Sequence, residues 1–232
     1  DWGLGFAGKM FGDNEEMKEK MAKARAAMKS VKFGQIVGAF SVNEEVEDGI
    51  FNAIAITEAT PADKMKELTR SMAFEYKVPG MKQTITVKKD AEKYGDLSAD
   101  VITTKQVFDE TIDPLGNQQE IIDLINGPNG LVQRIVTTKN TVVQTTGGTQ
   151  ATMKEALSSF NSPASTGNEA LNEARGMVLK KANFVALVDL PNLIVNALKA
   201  AVATGKVPVP IPIDQLPEIE PSFMAFSVGT EP

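Results

Sequence analysis

Leu131-Val132-Gln133-Arg134-Ile135-Val136-Thr137-Thr138-Lys139-Asn140-Thr141-Val142-Val143-Gln144-Thr145-Thr146 is the stretch that decides the fold class. It reads as two antiparallel strands, Leu131–Thr137 and Thr141–Thr146, with Lys139-Asn140 as the tight turn between them. Upstream, Gln83–Lys89 and Leu97–Val107 are strands of the same kind, and a short helix at Asn117–Ile125 is stopped by Asn126-Gly127-Pro128-Asn129-Gly130. The whole region from Met81 to Thr149 is therefore expected to be antiparallel, with polar, Thr-rich faces turned to solvent.

Working towards the N-terminus, Thr60 is expected to cap a helix, with Pro61 in its first position and Asp63 in its first turn. Met65, Leu68, Met72 and Tyr76 would line its inner face, and Val78-Pro79-Gly80 would end it. Before it, Phe33–Val42 and Ile50–Thr57 form a hairpin joined by the acidic stretch from Asn43 to Gly49. Asn14–Lys29 is a helix with Met17, Met21, Ala24 and Met28 on one stripe.

Towards the C-terminus, Thr152-Met153-Lys154-Glu155 and Thr166-Gly167-Asn168-Glu169 carry capping-box signatures for two more helices. Asn183–Val188 reads as a buried strand. Pro191–Ala203 reads as a helix with Leu193, Ile194, Ala197, Leu198 and Ala201 inward. Val207–Pro221 favours extended backbone through Pro208, Pro210 and Pro212, and Phe223–Val228 is a final strand. Helices and strands come in runs rather than in βαβ alternation, so the class is α+β. The expected architecture is a curved, mainly antiparallel sheet covered by the Met65 and Leu193 helices. The expected divisions are a flexible N-terminal segment over 1–13, a main domain over 14–206, and a proline-rich crossing with its final strand over 207–232.

Gly38-Ala39-Phe40-Ser41-Val42 is echoed by Met224-Ala225-Phe226-Ser227-Val228, each after an Ala-rich helix. If this is a repeat, the last segment opens a second unit of a longer protein. The order strand, Asp189-Leu190-Pro191, helix, proline-rich crossing and Phe-Ser-Val strand resembles uncharacterised exported bacterial proteins built from large α+β repeats. So does the order of hairpin, Pro61-led helix and further hairpins. That resemblance implies an extracytoplasmic, non-enzymatic role and brings no catalytic residues with it.

The chain holds no histidine and no cysteine among its 232 residues. It therefore lacks the side chain that titrates between pH 5 and 8 and the one that supplies thiolates and disulfides. A net charge of −6 argues against a general nucleic-acid binder, and no apolar run is long enough to span a bilayer. The first residue is Asp1 rather than Met, which reads as a processed product or an excised fragment.

Each motif with a chemical reading also has a cheaper one. Gly3-Leu4-Gly5-Phe6-Ala7-Gly8 matches a dinucleotide fingerprint in letters, but lacks the preceding strand and the following acid that the mechanism requires. Glu44, Glu45, Glu47 and Asp48 offer oxygens to a hard cation, yet form an ordinary solvated loop. Asp96 and Asp100 suit a polar strand edge better than an acid–base pair, and Gly147-Gly148 suits a flexible turn better than an anion nest. Asp189, at the end of a strand, is the one candidate site residue, and its place before Leu190-Pro191 is also what a helix cap requires.

The expectation is a non-catalytic structural or binding module, periplasmic or cell-surface, with no cofactor and no metal; the lack of cysteine fits a reducing cytosol as well as export, so the cytoplasm is the alternative compartment. Its partner would be a protein or an apolar small molecule. The alternatives are a carrier of a lipid or other apolar ligand and a carboxylate-only hydrolase.

Overall fold

The seven-stranded sheet has the order β1-β2-β7-β6-β5-β4-β3, and every neighbouring pair in it is antiparallel. The computed structural model describes residues 15–42, 48–161, 169–180, 182, 184–203 and 219–229. The strands are β1 (Lys32–Val42), β2 (Phe51–Thr60), β3 (Phe74–Val78), β4 (Met81–Tyr94), β5 (Leu97–Phe108), β6 (Leu131–Thr137) and β7 (Thr141–Gly147). A separate two-stranded ribbon pairs β8 (Phe184–Asp189) with β9 (Phe223–Val228). The helices are α1 (Glu15–Lys29), α2 (Asp63–Arg70), α3 (Asn117–Asn126), α4 (Gln150–Asn161), α5 (Glu169–Gly176) and α6 (Leu190–Ala203). The fold is α+β, with an open sheet.

Alternation along each strand sends neighbouring residues to opposite faces, and both faces are covered. On one, Val31, Ala59, Ala62, Ile102, Ile135 and Val142 form a core against Met65 of α2. On the other, Ala99, Val136 and Val143 pack against Met153, Ala156 and Leu157 of α4. Ile135 and Val136 thus belong to different cores, although they are adjacent in sequence. The Thr-rich faces expected to meet solvent are corrected here: Thr145 is fully buried, because α4 covers that side of the sheet. The covering pair is α2 and α4, whereas the Leu193 helix lies beside β1.

The helix after Thr60 is shorter than its periodicity suggests. Thr60 is the last residue of β2, Ala62 is the N-cap without a side-chain cap bond, and the helix ends at Arg70. Phe74-Glu75-Tyr76-Lys77-Val78 alternates apolar and charged residues, so it joins the sheet as β3 through the Pro79-Gly80 turn, with Tyr76 in register with Gln83. Met72 is left exposed.

At α4 the start also moves. Thr149 Oγ1 accepts the Ala151 N–H, while Thr152, the expected cap, lies inside the helix and accepts the Thr149 N–H on its own hydroxyl. Gly147 permits the turn before it: its φ is +73°, and a β-carbon there would stand 1.8 Å from the Phe51 carbonyl oxygen. The second capping box, at Thr166, lies outside the described residues, as do 1–14, the loop residues 43–47 and the proline-rich run from 204 to 218.

Two C-terminal expectations are corrected. The strand read as buried is a ribbon strand with Phe184 and Val185 exposed. In α6, Ile194, Ala197 and Leu198 face solvent rather than a core, and Ala200 is the buried residue. A ribbon of only two strands has too little surface to cover that stripe.

Candidate functional site

Asp189 ends β8 and caps α6. Its Oδ1 accepts the Asn192 N–H at 3.2 Å, and its Oδ2 accepts the Asn192 side-chain amide at 2.8 Å. That is the N-cap arrangement, with the carboxylate on an orphan amide of the first turn. The Asn192 amide also donates to the Ile219 carbonyl, tying the helix start to the approach to β9.

Asp96 and Asp100 part company. Asp100 is only 1% exposed, on the α2 face of β5, so the polar-edge reading is wrong for it. Its two oxygens receive Arg70 Nε at 2.6 Å and Nη2 at 2.7 Å, and Oδ1 also receives the Asp90 N–H at 2.8 Å. Asp90 sits at φ +49° in the β4 irregularity between Lys88 and Glu92, and accepts Ser98 Oγ, Lys66 Nζ and Arg70 Nη2. The hydroxyl of Ser98, then Lys66 and Arg70, hold the Asp90 carboxyl well below the ordinary carboxylate range. Burial pushes Asp100 up, but the Arg70 fork and the Asp90 amide together outweigh it and hold that carboxyl low as well. Two carboxylates clamped by one guanidinium stay ionised. They pin α2 to the sheet and have no proton to offer a substrate.

On the opposite face, a cleft of about 390 Å³ lies between the 127–130 loop and the start of α4, with Asp48, Arg134, Thr149 and Gln150 among its walls. Arg134 is committed on both sides. Its Nε lies 3.0 Å from Glu92 Oε2, and its Nη1 donates to the Gly148 carbonyl at 2.9 Å. Burial and the hydrogen bond to Glu92 push the neighbouring Tyr94 hydroxyl above its ordinary value, so it stays protonated and donates to that carboxylate. Arg134 therefore holds the Gly147-Gly148 turn in place, and the carboxylate of Glu92 sets its charge off. Pro128, Val132 and Ala151 add apolar wall to the glycines and polar groups, so the cleft is of mixed character. Among the described residues, no group of three or more acidic side chains is placed to hold a metal ion. Glu44, Glu45 and Glu47 lie outside those residues, as does the 3–8 glycine motif.

What the chain presents instead is apolar surface. On β1, Phe33, Ile36, Val37 and Phe40 are exposed. On the ribbon, the paired registers Phe184–Val228, Ala186–Phe226 and Val188–Met224 form one face, on which Phe184, Met224, Phe226 and Val228 are bare. Sequence reasoning places these strands correctly, but reads Asn183–Val188 as buried and does not mark the apolar residues of the other two as exposed. The signal available was the absence of charge: Phe33 to Val42 and Phe223 to Val228 contain none. No protein-family model matches the chain, and no curated protein or solved structure matches it either.

Proposed function

We infer that this chain is a non-catalytic structural or binding module, exported or cell-surface, that acts through the apolar surface of β1 and the β8–β9 ribbon. The observation that carries the reading is the exposure of Ile36, Phe40, Phe226 and Val228 on strands that hold no charged residue between Phe33 and Val42 or between Phe223 and Val228, with Phe184 exposed beside Val228. Each such side chain gains roughly 1.5–3 kcal/mol when it is buried, and large clustered apolar surface marks an interaction site. The carboxylates and arginines of the interior support the same reading, because Asp100, Arg70, Arg134 and Glu92 are spent on one another.

Native mass spectrometry of the purified chain tests this. The expected spectrum contains the bare chain or protein assemblies of it. A stoichiometric lipid would overturn the reading in favour of a carrier, and a retained metal would overturn it in favour of a metal site.

A further inference from the structure

The two edges of the seven-stranded sheet are built differently. β3 is short, carries Glu75 and Lys77, and has its Glu75 tied to Lys82 at 2.8 Å. Charge and brevity are how proteins keep an edge from pairing. β1 is 11 residues long and carries only Lys32 at its start. Ile36, Val37 and Phe40 on it are 67%, 62% and 57% exposed even with α6 alongside. An edge this long and apolar, with neither charge nor proline as a guard, is a pairing surface.

The register shows what β1 offers. The Phe51 carbonyl points at Gly147 of β7, so the backbone groups of Phe51 and Ala53 face β7, and those of Asn52, Ile54 and Ile56 face β1. Their partners Ser41, Ala39 and Val37 face β2 in turn. The N–H and C=O groups of Ile36, Gly38, Phe40 and Val42 consequently point outwards along the edge, where no described strand pairs with them. Phe40 lies opposite Ala53 and Ile36 opposite Thr57, so the two side chains share one face, while Val37 and Ala39 share the other.

We propose that β1 pairs antiparallel with β1 of a second copy of this chain, about a two-fold axis at Gly38, to make one continuous sheet across the dimer. The proposal rests on the binding-module reading and names its partner. With the axis at Gly38, Ile36 of each copy stands opposite Phe40 of the other, and Val37 opposite Ala39, so faces match and the largest exposed side chains meet. The outward backbone groups of Ile36, Gly38 and Phe40 bond one another across the axis. The irregularity between Phe33 and Ile36, where Glu58 accepts the Gln35 N–H, stays clear of these pairs. The same patch serves both copies, as a two-fold interface requires. No charge is brought against another along it.

Sedimentation equilibrium of the full chain, with engineered cysteines in this cysteine-free background, tests the proposal. The wild type is expected to dimerise reversibly. Ile36→Lys combined with Phe40→Lys should weaken the dimer at least about a hundredfold while leaving the far-UV circular dichroism unchanged. Directly opposite residues in such a ladder lie about 4.5–5.5 Å apart between α-carbons, within disulfide reach. Gly38→Cys should therefore cross-link on air oxidation, and Glu75→Cys on β3 should not. A wild type that stays monomeric at its highest soluble concentration overturns the proposal. So does an assembly that survives the double lysine variant, or Gly38→Cys that cross-links no better than Glu75→Cys. A monomer that binds a different protein through β1 would sink the self-pairing and leave the module reading intact, whereas a retained lipid or metal would sink that reading itself.

Discussion

Replacing Asp100 with Asn tests whether the clamp between α2 and β5 holds this fold. The substitution keeps the side-chain shape, removes the charge, and puts an amide donor where Arg70 Nε or the Asp90 N–H donates at 2.6 or 2.8 Å. Removing one partner of a buried ion pair costs about 3–5 kcal/mol. Here the Arg70 side chain is 25% exposed and keeps Asp90 on Nη2 at 2.7 Å, so water and the second carboxylate recover part of the loss. We expect a net cost of about 2–4 kcal/mol. For a chain of this size that lowers Tm by roughly 5–15 °C. In urea, with a slope of about 2 kcal/mol/M, it moves the midpoint down by about 1–2 M. Urea unfolding followed by far-UV circular dichroism reads both the midpoint and the slope. The double variant Arg70→Met with Asp100→Leu should cost less than the sum of the two single changes, by about 1–3 kcal/mol, because no charge is left stranded. A midpoint loss below about 0.3 M for Asp100→Asn, or strict additivity in the double variant, would refute the clamp.

The pH dependence follows from the same groups. Asp90 and Asp100 are both held below their ordinary carboxylate values, so the stability they contribute is present above about pH 4 and is lost as pH falls through their lowered folded values. Melting temperature should accordingly drop on acidification below about pH 4, and less steeply in the double variant lacking Asp100; an unchanged slope would count against the assignment. Met153 is fully buried in the second core, so Met153→Ala should destabilise by about 2–5 kcal/mol, read in the same urea assay. Asp189→Ala should cost only about 0.5–2 kcal/mol, the value of a cap, with Asp189→Ser recovering most of it.

The strands of the hairpin at Lys139-Asn140 and the helix stopped by the Asn126–Gly130 turn cluster were legible because their signals are local. Turn residues sit within a few positions of the elements they end, and the backbone obeys them wherever the chain is placed. The ambiguity at Tyr76 was also local: the residue fits the helical stripe from Met65 and the strand alternation Phe74-Glu75-Tyr76-Lys77-Val78 equally well. Pairing with Met81–Ile85 of β4 resolved it. The Asp189 cap was readable for the same reason, since its partner Asn192 is three residues away.

The sequence by itself determined the α+β class, most element boundaries, and the chemistries denied to a chain without histidine or cysteine. Tertiary structure alone decided which apolar residues are core. Val136 and Val143 are buried because α4 folds over them, while Ile36, Phe40 and Phe226, equally apolar, are left exposed. It also decided that Arg70 meets Asp100 and that Arg134 meets Glu92, across 30 and 42 residues of chain. Periodicity reports which side chains share a face. Only the strand order and the helices laid across it decide whether that face meets protein or water.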